Sequence, residues 1–135
     1  MSEKNKDLAR RSWEIVDNLD AIEEIYAPDL VWHEPDQDLH GYEEARQFVT
    51  TYKTAVPDLN VTVEDAIAEG DKAVTRWTVR GTHQGETEEF GPPTGRQIEL
   101  KGITIHRIED SKIVEEWEIF DTMSMLKQLG LAPEQ

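Results

Sequence analysis

The sequence contains no cysteine, which excludes disulfides, thiolate nucleophiles and sulfur-bound zinc. Basic residues are scarce, 14 against 29 acidic ones, for a net charge of −15. That balance repels phosphate backbones and anionic lipid surfaces, so neither nucleic acid nor a membrane is an expected partner. No apolar run approaches the roughly 20 residues that cross a bilayer, and "MSEKNKDLARRSW" has no apolar core of a secretion signal. A cytoplasmic, soluble protein is expected. The stretch "GPPTGR" lacks the Gly-Lys-Ser/Thr of a phosphate loop, and no serine sits in a nucleophile elbow. Among the histidines, His33, His40, His83 and His106, none pair at helical ligand spacing, and no metal site is expected.

What is present fits one domain spanning residues 1–135. Leu8, Ser12, Ile15, Val16 and Leu19, with Trp13 beside them, trace the stripe of an amphipathic helix from about Lys4 to Leu19. Asp20 and Glu23 resemble a capping box opening a short helix with Ile22, Ile25 and Tyr26, stopped by Pro28. "DLVWHEP" reads as a short strand. Ala45, Phe48, Val49 and Tyr52 share a third helical face that ends before Pro57. After Pro57 the period becomes two: "LNVTVEDAIAEGDKAVTRWTVRGTH" is two strands about Gly70 and Asp71, and "QIELKGITIHRI" and "KIVEEWEIF" are two more around the turn "EDSK". "TMSMLKQLG" closes the chain as a helix stopped by Gly130. Helices followed by an antiparallel meander predict an α+β domain in which N-terminal helices pack on a curved, mostly antiparallel sheet that forms a cone. Val74, Ile103 and Ile105 give the sheet's other face apolar character if their neighbours face the cone. A homodimer or tetramer is therefore expected.

Four stretches, "AEGDKAVTRWTVRGTHQG", "FGPPTGRQIELKGITIHRI", "SKIVEEWEIFD" and "LKQLG", together with the helical first half, make the chain resemble the SnoaL-like polyketide (ester) cyclases of the nuclear-transport-factor-like cone folds. The resemblance implies a cofactor-independent enzyme that closes a ring by intramolecular aldol condensation with an aspartate as acid/base. By motif match that aspartate is Asp121, the last residue of "EEWEIFD", and His106 in "ITIHRI" looks like the second pocket residue.

The residues themselves bear on these assignments. Counting by two from Asp121 places it on the face of Ile119, Trp117, Glu115 and Ile113, the more apolar face of that strand, where desolvation would raise a carboxyl pKa towards neutrality. The same aspartate, or Thr122, could instead simply cap the last helix. Glu115, Glu116 and Glu118 are expected in cross-strand ion pairs with Arg76, Arg80 and Arg107, and His106 could face either side of its strand. Trp13, His33, Phe48, Tyr52, Trp77 and Trp117 are the candidate walls of a pocket for an apolar, carbonyl-containing small molecule. Two other functions fit the same features: a steroid-isomerase-like or epoxide-hydrolase-like enzyme, the former drawing on Tyr26, Tyr42 or Tyr52, and a non-catalytic ligand-binding or dimerisation domain. An open cavity with an acid on its wall favours chemistry, whereas a filled cone favours association.

Overall fold

The structure, a computed structural model, describes residues 2–131. Helix α1 (Ser2–Arg11) turns into a 3₁₀ segment, Ser12–Val16, and a second 3₁₀ turn, Leu19–Ala21, leads into the single-turn α2 (Ile22–Ile25). Strands β1 (Tyr26–His33) and β2 (Asp38–His40) precede α3 (Gly41–Ala55). Strands β3 (Asn60–Glu69), β4 (Lys72–Thr82), β5 (Gln97–Glu109) and β6 (Lys112–Phe120) follow, and α4 (Thr122–Leu129) ends the fold. This is the α+β cone expected from the sequence. Among the described residues no helix is long and apolar enough to cross a membrane.

The six strands form one sheet in the order β2-β1-β6-β5-β4-β3. All neighbours are antiparallel except β1 and β6, which pair in parallel. Two-residue turns connect β3 to β4 and β5 to β6, whereas residues 83–96 join β4 to β5. At the β5–β6 turn Asp110 and Ser111 both adopt positive φ, 51° and 64°, the twist that continues the strands without splaying them.

Differences from the sequence reading have local causes. Tyr26 begins β1 rather than ending α2, and Pro28 sits inside that strand, in the span where the β1–β6 register shifts between Tyr26 and Val31. Asp20 makes no capping bond at either neighbouring helix start. The short α2 is instead held at its other end by Lys112 Nζ, which donates to the carbonyls of Glu23 and Glu24 at 2.7 and 2.8 Å. The short β2 was not anticipated.

Two buried clusters meet inside the cone. One gathers Ile22, Ile25, Leu30, Ile108 and Ile113 under α1 and α3, and the other gathers Trp77, Val79, Ile98, Leu100, Met125 and Leu129 towards α4. Gly102 allows the second to form, because a Cβ there would lie 2.4 Å from Trp77 Cζ2 and 2.6 Å from the Ile119 carbonyl oxygen. The indole consequently lies close over β5, where its Nε1–H donates to Thr104 Oγ1 at 2.9 Å.

Candidate functional site

Where the clusters meet, the cone is not filled. A cavity of about 110 Å³ remains, well above the roughly 10–15 Å³ that one water needs. Trp13 from the 3₁₀ segment, Phe48 and Tyr52 from α3, and Trp77 from β4 line it as expected, joined by Trp32 of β1 and Phe120 of β6. The rings touch in series: Trp13 on Trp77 at 5.3 Å, Trp77 on Phe120 at 6.1 Å, Phe48 on Tyr52 at 4.9 Å and on Trp32 at 6.2 Å. Edge-on and tilted contacts of this kind make a rigid apolar wall suited to a flat ligand.

Three acids interrupt that wall: Glu34, Glu116 and Glu118. Glu116 and Glu118 reach it because β6 carries a bulge opposite Arg107 and Ile108, where the partners step from Glu115 to Ile113. Beyond the bulge Glu116, Glu118 and Phe120 point into the cone, while Glu115, Trp117 and Ile119 point out. The parity counted back from Asp121 is thereby corrected, and so is the expectation that all three glutamates make cross-strand ion pairs with Arg76, Arg80 and Arg107. Only Glu115 does, binding Arg107 at 3.1 Å.

Behind Glu116 runs a hydrogen-bonded chain. Its Oε2 accepts from the Tyr26 hydroxyl at 2.9 Å and lies 2.5 Å from His106 Nδ1. His106 Nε2 lies 2.8 Å from Thr75 Oγ1, which accepts from Trp13 Nε1 at 3.2 Å. One assignment of protons satisfies every group: Trp13 donates to Thr75, Thr75 to His106 Nε2, and His106 Nδ1–H and Tyr26 to Glu116. His106 is fully buried, turned inward with Thr104 and Ile108. It stands behind Glu116 rather than on the cavity wall, so it orients the carboxylate instead of meeting a ligand. Both of these bonds fall on Oε2, leaving Oε1 for the cavity. Burial and the Glu116 charge raise the Tyr26 phenol well above its ordinary range, which keeps it a donor.

Glu34, 9% exposed at the end of β1, and Glu118 form a second arrangement. Burial is the largest cause that pushes both carboxyls upward, and each also feels the Glu116 charge. A hydrogen bond between them raises Glu34 and holds Glu118 down, which places a shared proton on Glu34. Two buried polar atoms on this side have no partner: Glu34 Oε1 and the indole nitrogen of Trp32.

The remaining expected residues lie elsewhere. Asp121 is exposed and accepts from the Ser124 amide at 2.9 Å as the N-cap of α4. The expected buried acid is therefore corrected, because the strand ends at Phe120 and its cavity parity belongs to Glu118 and Phe120. His33 and Trp117 stack on each other at 5.5 Å on the outer sheet face, so neither is a cavity wall. There His33 binds Glu115 at 2.6 Å and Asp38 at 2.9 Å, and these hydrogen bonds, Glu115 first, raise its pKa. His83 is a buried loop residue whose Nδ1 accepts from the Thr94 amide.

Comparison with known proteins places this arrangement. A family model described as SnoaL-like polyketide cyclase matches residues 6–129. A SnoaL-like protein from Jannaschia sp. CCS1 shares the fold with a TM-score of 0.87 at 22% identity, covering 98% of this chain and 95% of that one. IdmH from Streptomyces antibioticus, described as a candidate polyketide cyclase, is 34% identical over 92% of this chain and 96% of its own, with a TM-score of 0.78. AclR from Streptomyces galilaeus, described as a candidate hydroxylase, is 27% identical over 96% and 89%, with a TM-score of 0.79. No match was found among curated proteins.

Proposed function

The chain belongs to the SnoaL-like polyketide cyclase family, and from that premise we propose that it enolises a neutral, apolar carbonyl compound inside the cone as the opening step of an aldol-type ring closure. The observation that supports this most is Glu116, a buried carboxylate on an aromatic cavity wall, with one oxygen held by His106 and Tyr26. Such an acid has a fixed orientation and a dry surrounding, the two properties a base needs to remove a carbon proton.

In the proposed step the carbon–hydrogen bond α to a carbonyl breaks and its proton passes to Glu116. The electron pair becomes an enolate and then forms the new carbon–carbon bond to a second carbonyl carbon of the same molecule. The resulting alkoxide takes the proton shared by Glu34 and Glu118, and Glu116 returns its proton to that pair through the cavity. Trp13, Trp77, Phe48 and Tyr52 hold the substrate flat, and the role expected of Asp121 passes to Glu116. No cofactor enters the scheme. An open cavity with acids on its wall favours this over a domain that serves association alone.

The same reading extends to assembly. Ile67, Ile103 and Ile119 are 65%, 47% and 68% exposed on the outer sheet face, and a second copy of the chain is the partner proposed to cover them.

Exchange of carbon protons tests the chemistry without the natural substrate. In D₂O, catalytic amounts of the protein are expected to accelerate deuterium uptake at the α-carbon of 2-tetralone, a neutral bicyclic ketone, followed by NMR. Uptake no faster than in buffer, at a ketone concentration that occupies the cavity, removes the enolisation reading and leaves ligand binding.

A further inference from the structure

Outside the chain of bonds that orients Glu116, two residues lining the β1 side of the cavity carry a buried donor and a buried acceptor without a hydrogen-bond partner. Trp32 is 4% exposed with its indole N–H unpartnered, and Glu34 is 9% exposed with Oε1 unpartnered. Both line the cavity. They stand two residues apart on one face of β1 and its continuation, about 6.6 Å along the strand. A buried donor or acceptor without a partner costs stability, commonly about 1–3 kcal/mol each. Each such group in a native protein calls for an explanation, and a bound partner that completes it is one.

Their chemistry selects the ligand. The indole nitrogen only donates, so it meets an oxygen with a free lone pair and repels an ammonium group. Glu34 Oε1 has no hydrogen-bond partner, and a carboxyl oxygen in that position accepts from an O–H. An anionic group would face Glu34, Glu116 and Glu118 together in a low-dielectric wall. A ketone alone accepts but does not donate.

We propose that Trp32 Nε1 and Glu34 Oε1 form a subsite for an uncharged hydroxyl group on a flat aromatic ligand, the hydroxyl oxygen accepting from Trp32 and its proton passing into a hydrogen bond with Glu34. The subsite deepens the proposed function, in that it fixes which edge of the substrate lies along β1 and turns the opposite edge towards Glu116. It requires no turnover, and its test is one of binding.

Four naphthalenes of similar size serve as probes in calorimetric titrations at pH 7: 2-naphthol, 2-methoxynaphthalene, 2-naphthoate and the cation of 2-naphthylmethylamine. The wild-type protein is expected to bind 2-naphthol at least about tenfold more tightly than each of the others, the scale of one satisfied buried hydrogen bond. Trp32→Phe and Glu34→Leu should each reduce the naphthol-to-methoxynaphthalene preference to about threefold or less, whereas Glu34→Gln, which keeps an acceptor oxygen, should retain most of it. Because the preference is a ratio within one variant, packing lost beside Tyr26 and Phe48 in Trp32→Phe affects both probes alike. Equal binding of the naphthoate or the ammonium probe overturns the subsite, as does failure of 2-naphthol to bind or a preference untouched by Trp32→Phe and Glu34→Leu. Intact preference without deuterium exchange in 2-tetralone would instead remove the catalytic reading and leave the subsite standing.

Discussion

Replacing Glu34 with Gln should change how the stability of this protein depends on pH, in a direction the buried acids determine. Gln keeps the shape of the side chain and can donate an amide hydrogen to Glu118, but it removes the proton that the two carboxyls share. In the wild type both groups are raised above their unfolded values, first by burial and then by neighbouring acids. Above the unfolded glutamate value of about 4.3, and below its own raised folded value, Glu34 therefore holds one proton in the native state that it gives up in the unfolded chain. Stability contributed by that proton is fully present at low pH and is lost as pH rises through the interval. The slope is about 1.4 kcal/mol per pH unit for one proton, or about 5 °C per pH unit in Tm for a domain of this size. Titrations away from the Glu34–Glu118 pair are common to both proteins and cancel in the difference. Calorimetric melts at half-unit steps from pH 5 to 7.5 should thus show Glu34→Gln gaining on the wild type at every step, reaching about 10 °C over two units. Curves that stay parallel would mean that the Glu34–Glu118 pair titrates as it would in water, and the shared proton would be refuted.

Other substitutions probe the rest of the structure. Asp121→Ala should cost about 1 kcal/mol through loss of the α4 cap, while Asp121→Asn should cost a few tenths, both read from urea melts. Gly102→Ala would drive a methyl group into the Trp77 ring; a loss of about 1–3 kcal/mol with a shifted indole emission is expected, and an unchanged emission would contradict the close approach. Light scattering at micromolar concentration should give a mass of two or four chains, and Ile103→Lys combined with Ile119→Lys should shift it towards one. A monomer throughout would remove the assembly proposal.

The period-two pattern after Pro57 and the helical stripes before it made the cone legible in the sequence, because burial on one face imposes that periodicity whatever the chemistry of the site. Asp121 as a cap was legible too, since a short polar side chain before "TMSMLKQLG" has a local reason to be there. The acids of the cavity were not. Strand β6 holds Ile113 and Glu116 on the same side only because a bulge inserts a residue between them, and counting by two crosses that bulge without registering it. The two faces of β5 are equally polar in sequence, so the inward turn of His106 depends on its partner Glu116 across the β5–β6 ladder. A usable signal lay in β1: Glu34 follows Leu30 and Trp32 at the same parity, an acid continuing an apolar face. The outer pair His33 and Trp117 was misplaced because an aromatic residue half-buried against a charged network looks, in one dimension, like one lining a pocket.

The most direct measurement compares two acids in one assay. Single-turnover deuterium exchange at the α-carbon of 2-tetralone is followed for the wild type, Glu116→Gln and Asp121→Asn at a saturating ketone concentration. If Glu116 is the base, its replacement should slow exchange by roughly two to four orders of magnitude, while Asp121→Asn stays within a few-fold of the wild type. The reverse ordering, with Asp121→Asn inactive and Glu116→Gln unimpaired, would contradict the assignment of the chemistry to the cavity.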